Sequence, residues 1–337
     1  MDSLTHTVLG ACLGEAIAGK QLGKKAMLIG AVVNNLPDID VVAGPFLEPA
    51  QGLLAHRGIT HAILTAVVLS PLLALWLQKI FRKKEVSFRR MLLLTGSGLF
   101  MHILMDAFTS YGTGWFEPFN HARVSFNTLF IIDPFFLLPL LIAAVALLIL
   151  KRSSARRMAW AKISLTISYI YLTITIFIKI SVNSKVNKDL AEFNIPHKDY
   201  MVTPTPLNNL LWYVVAQNDS ACYIAYYSVF DKSVIHSYEP FSKNSSLLQD
   251  YKNSPEVAKL IQFSKGYYQV KHENDLVTFA DLRFGQIGGW YKKDAPFVYK
   301  FNIAGAANGA ASLQQGRMES VGTEPLKALV RRIKGNP

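Results

Sequence analysis

Four stretches of the chain, roughly 60–80, 91–110, 130–150 and 158–180, are almost continuously apolar. Each approaches the roughly 20 residues that an α-helix needs to cross the hydrocarbon of a bilayer. Ahead of them, 4–18 and 26–36 are also apolar and rich in Gly and Ala but shorter, which predicts short or partly inserted helices packed through small residues. After about residue 181 the long runs stop and aromatic and β-branched residues alternate with turn formers. The runs from Leu210, Tyr223 and Tyr267 predict strands, and Pro255–Ser264 predicts a helix. ThrProThrPro from Thr203 with Asn208 and Asn209 is expected as an entry loop, and the Gly/Ala-rich 304–316 as loop or edge. The expected architecture is an α-helical polytopic membrane domain over 1–181, with about six helices of which two are short. A small α+β extracytoplasmic domain over 182–337 follows it.

Composition supports this reading. Of 337 residues 51% are hydrophobic and 17% charged, against about 25% charged in an ordinary soluble domain. Disorder is excluded. The net charge of +12 raises the question of nucleic acid. The excess, however, sits in three short stretches: Lys20, Lys24 and Lys25; Lys79 to Arg90; and Lys151 to Arg157. Basic clusters bracketing apolar segments mark cytoplasmic loops, so the charge needs no nucleic acid to explain it. If these loops are cytoplasmic, the N-terminus and everything after about residue 181 face outward. Asp2 follows Met1 without a basic region, so no cleavable signal is expected.

With two cysteines far apart, Cys12 and Cys222, any metal site must use histidine and carboxylate. Candidates cluster in ProAspIleAsp at 37–40, HisArgGlyIleThrHis at 56–61 and HisIleLeuMetAsp at 102–106, with His6 near the start of the first helix. His102 and Asp106, spaced i, i+4, share a helix face. Imidazole with carboxylate suits Zn, Mn or Fe. The topology was built from Lys and Arg alone, yet it carries His6, Asp38, Asp40, His56, His61, His102 and Asp106 to the outer side of the membrane, and Asp133 with them. A lone membrane histidine more often serves packing, and Asp133-Pro134 suits a helix start; a proton or ion relay would place such groups near the midplane instead. Arg57 is expected either to hold an anionic substrate group or to pair with Asp38 or Asp40. His121 reads as a surface residue or an outer partner of the cluster, His197, His236 and His272 as exposed or structural, and Lys162 and Lys179 as snorkelling residues near helix ends.

At these motifs the sequence resembles the YdjM-type family of bacterial inner-membrane proteins, usually described as membrane-bound metal-dependent hydrolases. The resemblance rests on the stretches 36–40, 56–61, 102–113 and 126–134, and extends over roughly 1–150. It implies metal ligands among Asp38, Asp40, His56, His61, His102 and Asp106, with His6 at a position that varies in the family. The family is in turn distantly similar to zinc-dependent phospholipases C and single-strand nucleases, which implies phosphoester hydrolysis.

The expected function is therefore hydrolysis of an ester or phosphoester, lipid-linked ones included, by water activated on a divalent ion, most readily Zn and otherwise Mn or Fe. Asp106 and one of Asp38 and Asp40 would be ligands. The other, taken as Asp40, would accept the proton of the attacking water, so that its replacement by alanine would abolish hydrolysis and spare metal content. Arg57 would stabilise developing charge. Thr109, Tyr111 and Thr113 would position substrate, and Trp115 and Phe116 would lie at headgroup level. The alternative is a non-catalytic envelope scaffold with a structural metal site.

Overall fold

The computed structural model describes residues 1–231, 238–273, 276–304, 310–315 and 323–335, which fall into two compact units. The first comprises Met1–Val42, Ala55–Ile176 and Pro206–Asn208, and the second Ala43–Leu54, Phe177–Thr205 and Asn209–Pro337.

In the first unit α1 (Ser3–Leu22) starts at Asp2, whose carboxylate accepts from the Thr5 amide at 3.0 Å. It packs against α2 (Lys24–Asn35) with the backbones in contact. A Cβ placed on Gly10 would stand 2.3 Å from the Gly30 carbonyl oxygen, and one on Gly14 only 2.0 Å from that of Ala26. Small residues are what permit this approach. α2 continues as a 3₁₀ segment, Leu36–Phe46, so the second apolar segment is longer than the sequence suggests. Lys24–Phe46, at 23 residues, is long and apolar enough to cross a membrane.

A short α3 (Pro49–Ala55) belongs to the second unit. The 3₁₀ turn Ile59–His61 then leads into α4 (Ile63–Ile80), and α5 (Phe88–Ala107), α6 (Pro134–Ile149) and α7 (Arg156–Glu192) follow. Among the described residues three helical segments meet the length and hydropathy of a span: Lys24–Phe46, Ile63–Ile80 and Arg156–Glu192; α6 is apolar but shorter. Two apolar clusters hold the unit together, one around Leu9, Met105, Phe136 and Leu140, the other around Met91, Leu94 and Leu99. Glu15 and Arg157 form a buried ion pair at 2.6 Å, and Arg157 also caps α6 through the Leu150 carbonyl at 3.1 Å.

The second unit contains two antiparallel four-stranded meanders, each ordered as in the chain. The first comprises β1 (Asp199–Pro204), β2 (Leu211–Gln217), β3 (Ala221–Ser228) and β4 (Glu239–Ser242). The second comprises β5 (Tyr268–Glu273), β6 (Leu276–Gln286), β7 (Phe297–Ala304) and β8 (Ala310–Gln315). α8 (Pro255–Ser264) precedes the second sheet and α9 (Thr323–Ile333) follows it. The end of α7 lays Val182, Val186 and Leu190 against Trp212, Val214 and Tyr227 of the first sheet. The alternate residues Tyr213 and Val215 meet Ala280 and Leu282 of the second sheet, whose other face packs Phe279 and Phe301 against Val257 and Leu260 of α8. β2 is therefore buried on both faces, as its unbroken apolar run requires.

Two expectations change, and the edge expected within 304–316 is met where the residues are described. α7 extends to Glu192 rather than ending near 180, so Lys179 lies within it, bonded to the Val202 carbonyl and over the Trp212 ring, and does not snorkel at a helix end. Thr203 and Pro204 close strand β1 instead of opening a loop. Within 304–316, residues 310–315 form the edge strand β8; 305–309 and 316, like His236, lie outside the described residues.

Candidate metal centre

The site is assembled in the first unit from the 3₁₀ segment after α2, the turn 56–61 and the end of α5. One ligand-type atom from each of Asp38, His61, His102 and Asp106 lies within 4.8 Å of every other. The two imidazole Nε2 atoms are 3.0 Å apart. Asp38 Oδ1 stands 3.4 Å from each of them, and Asp106 Oδ2 is 3.2 Å from that of His61 and 3.5 Å from that of His102. Three of the four side chains are fully buried, and Asp38 is 17% exposed.

The outer nitrogens fix which way the rings face. His102 Nδ1 meets the Asn34 carbonyl oxygen at 2.5 Å; that oxygen only accepts, so Nδ1 carries the proton and Nε2 turns to the cluster. His61 Nδ1 lies 3.0 Å from Thr60 Oγ1, which donates to Asp40 Oδ2 at 2.7 Å, so the hydroxyl accepts from the ring and links it to a carboxylate 3.5 Å away, a relay of the kind that orients metal-ligating rings. Asp38 Oδ1 is buried without a well-formed hydrogen bond, whereas Asp106 Oδ2 already faces Arg57 Nε at 2.9 Å. Two imidazole nitrogens and two carboxylate oxygens fit a divalent ion of the zinc, manganese or iron type. Burial disfavours charge on His61, but its bonds to Asp106, Asp38 and Asp40 outweigh that and hold it up at about 9. The same oxygens that stabilise a proton there favour a cation.

A second, more open group, Asp38, Asp40 and His56, shares Asp38 with the first. Asp40 is heavily engaged: Oδ1 with His56 Nδ1 at 2.9 Å, and Oδ2 accepting from the Arg57 amide at 2.9 Å and the Thr60 hydroxyl at 2.7 Å. The turn that makes this possible holds Arg57 at φ +60°, a left-handed conformation costing roughly 1–2 kcal/mol outside glycine.

The remaining candidates separate. His6 bonds Asp106 Oδ1 at 3.0 Å and stacks on His102 with ring centres 3.9 Å apart, outside the four-atom group. Arg57 pairs through its side chain with Asp106, at 2.9 Å, and not with Asp38 or Asp40; it also donates to Thr109 Oγ1 at 2.8 Å and lies 5.0 Å from the centre of the Tyr111 ring. The Met1 amine also contacts Asp106. Thr113 is buried in a bridge with Val124, Trp115 donates to the Ile103 carbonyl at 3.2 Å, and Phe116 is exposed. Asp133 caps α6 and accepts from Tyr171 at 2.8 Å. His121 pairs with Glu117 in the open, His197 bonds the Ile195 carbonyl, and His272 is exposed on β5.

Two residues that the motifs did not single out matter here. Asn34, fully buried, gives its carbonyl to His102 and its amide to the His6 carbonyl, at 2.6 Å; a polar residue on the buried face of an apolar helix is the signal it left. Thr60, inside HisArgGlyIleThrHis, ties Asp40 to the turn.

Comparison with known proteins bears on the same region. Over 123 residues the chain is 32% identical to inner membrane protein YbcI of Escherichia coli (strain K12), a match covering 36% of this chain and 69% of that protein. It is 28% identical over 154 residues to the uncharacterized protein YfhP of Bacillus subtilis (strain 168), 44% of this chain and 46% of that protein. No solved structure matches. The description YdjM inner membrane protein matches residues 1–181, which is more than half of the chain and contains every residue of the cluster. The chain thus belongs to the YdjM inner membrane protein family.

Proposed function

We propose that the protein is a multi-pass metal-dependent hydrolase that splits an ester or phosphoester at the outer face of the cytoplasmic membrane. The observation that carries this is the convergence of Asp38, His61, His102 and Asp106, with the imidazoles oriented by the Asn34 carbonyl and the Thr60 hydroxyl. What a divalent ion supplies when bound among such donors is a water acidified towards neutrality and a polarised substrate oxygen. Asp38, the one partly exposed member, would hold the ion through Oδ1 and leave its other oxygen to accept the proton of the attacking water. Arg57, steadied by Thr109 and Tyr111, offers its guanidinium to charge developing on the substrate. Asp40, expected from sequence to be the base, has both oxygens engaged and is a positioning residue in this reading.

Sidedness is supported by where charge lies along the helices. α1 carries His6 near its start and Lys20 in its last turn; α5 begins with Arg89 and Arg90 and ends at Asp106; α6 follows Asp133 and precedes Lys151. The basic turns also meet, since Arg152 donates to the Gln21 carbonyl at 2.8 Å. Basic ends inside put the cluster and the C-terminal unit outside.

The rival reading, a non-catalytic envelope scaffold, draws on the Arg57–Asp106 pair, which already neutralises one ligand. Elemental mass spectrometry of detergent-purified protein beside a His102→Ala/Asp106→Ala double variant decides between them, followed by assay of bis-p-nitrophenyl phosphate and carboxylic esters. Stoichiometric zinc or manganese lost in the variant, with hydrolysis in the parent alone, is the expected result. A folded parent that stays empty after metal is added back overturns the hydrolase.

A further inference from the structure

Beside the cluster lies a cavity of about 220 Å³, bounded by the 3₁₀ segment after α2, by α4 and by α5. Its walls are the sequence neighbours of the ligands: Pro37 and Ile39 flank Asp38, Thr60 precedes His61, and Ile103 follows His102. Cavity and cluster thus share a wall one residue thick.

Its chemistry is that of hydrocarbon. Leu69, Leu99 and Ala66 complete the lining, and its two hydroxyls are both committed to the protein. Thr60 Oγ1 donates to Asp40 at 2.7 Å and Thr65 Oγ1 to the Ile59 carbonyl at 2.6 Å. A polar ligand would find no handle there. Apolar cavities of about 150 Å³ stay dry and take up hydrocarbons, while pockets for whole drug-sized ligands run to roughly 300–1,000 Å³; the space suits a length of alkyl chain.

The approach is apolar too. Ile39 lines the cavity and is 60% exposed, and Val68, one turn beyond Thr65 on α4, is 52% exposed. Both belong to segments long and apolar enough to cross a bilayer, so the exposed surface beside the cavity is of the kind that membrane hydrocarbon covers.

We infer that this cavity receives an alkyl chain of a membrane lipid, holding the lipid's head at the His/Asp cluster. As to the cleaved substrate, this rests on the hydrolase reading: it makes the substrate a lipid ester or phosphoester and Ala66, Leu69 and Leu99 the residues that select its tail. The occupancy itself needs neither metal nor turnover, which separates the two in experiment.

The full-length protein is placed in nanodiscs doped with phosphatidic acid carrying a diazirine near the end of one acyl chain. It is then illuminated and the adducts are mapped by peptide mass spectrometry. Adducts should concentrate on 60–69 and 99–103 and fall at least tenfold in Ala66→Trp, which fills the space, with bound metal equal to the parent. Leu69→Phe, a smaller intrusion, gives the same reading should Ala66→Trp not fold. An isoprenyl-phosphate probe with the same label forms the second arm, and preference between the two names the chain type. Adducts spread evenly over the apolar faces, or unaffected by a folded filling variant, overturn the inference even if the protein proves to be a metal-dependent hydrolase. Cavity labelling in a protein that holds no metal and hydrolyses nothing keeps the lipid site and removes the enzyme.

Discussion

At Asp40 sequence and structure assign different work to the same side chain. A free carboxylate next to a metal site reads as a proton acceptor, whereas Asp40 is surrounded by donors: the His56 ring, the Arg57 amide and the Thr60 hydroxyl. Through the Thr60 hydroxyl it reaches the outer nitrogen of His61, a candidate ligand. Loss of such partners typically lowers metal affinity by roughly 10–100-fold. Asp40→Asn keeps the size and one acceptor, so chelator-competition titration should show zinc affinity reduced by about that factor, with stoichiometry restored at high zinc. Unchanged affinity together with lost hydrolysis would return Asp40 to the role of base. The motif residues themselves were legible from chemistry and spacing; the direction of each imidazole was not, because it is set by Asn34 and Thr60, whose polar atoms carry no motif of their own.

The apolar runs located the helices well where one kind of burial applied throughout. They misjudged α7 because its two halves are buried differently. Up to about Ile180 the helix is largely apolar, while beyond it Val182, Val186 and Leu190 pack on the sheet at helical spacing among exposed Ser184, Asn187 and Lys188. A run-length reading stops where amphipathic packing begins. The second apolar segment, taken to end at 36, continues through Pro37 and Gly44 as a 3₁₀ segment rather than turning away. The α1–α2 contact was foreseen from small residues, and its geometry makes a sharp prediction. Gly14→Ala puts a methyl 2.0 Å from the Ala26 carbonyl oxygen, so α1 and α2 must separate. Overpacking of this kind costs roughly 1–3 kcal/mol. Gly44→Ala, with nothing within 4 Å of the added carbon, serves as the control. Thermal unfolding in detergent followed by circular dichroism should show a lower midpoint for the first and no loss for the second; equal midpoints would mean that the two helices do not depend on that contact.

For the whole molecule, the sequence argument about sides of the membrane used only Lys and Arg, and the folded helices give it a physical form. In α1 the rise from His6 to Lys20 is about 21 Å, comparable with much of the hydrocarbon thickness, so an α1 that stands across the bilayer would hold cluster and basic turns at different depths. The basic stretch after α4 is exposed at Lys83, and the turn between β2 and β3 is exposed at Asp219, whose side chain is 81% accessible. The native thiols Cys12 and Cys222 are both buried, so single cysteines at these two places report without interference. In spheroplasts a membrane-impermeant maleimide should label Asp219→Cys at once and Lys83→Cys only after lysis. That outcome puts the sheets of the second unit on the outer side and, with the basic turns inside, leaves the His/Asp cluster facing lipid headgroups of the outer leaflet. The reverse pattern would place the same chemistry in the cytoplasm, and the search for a substrate would then move to the inner leaflet.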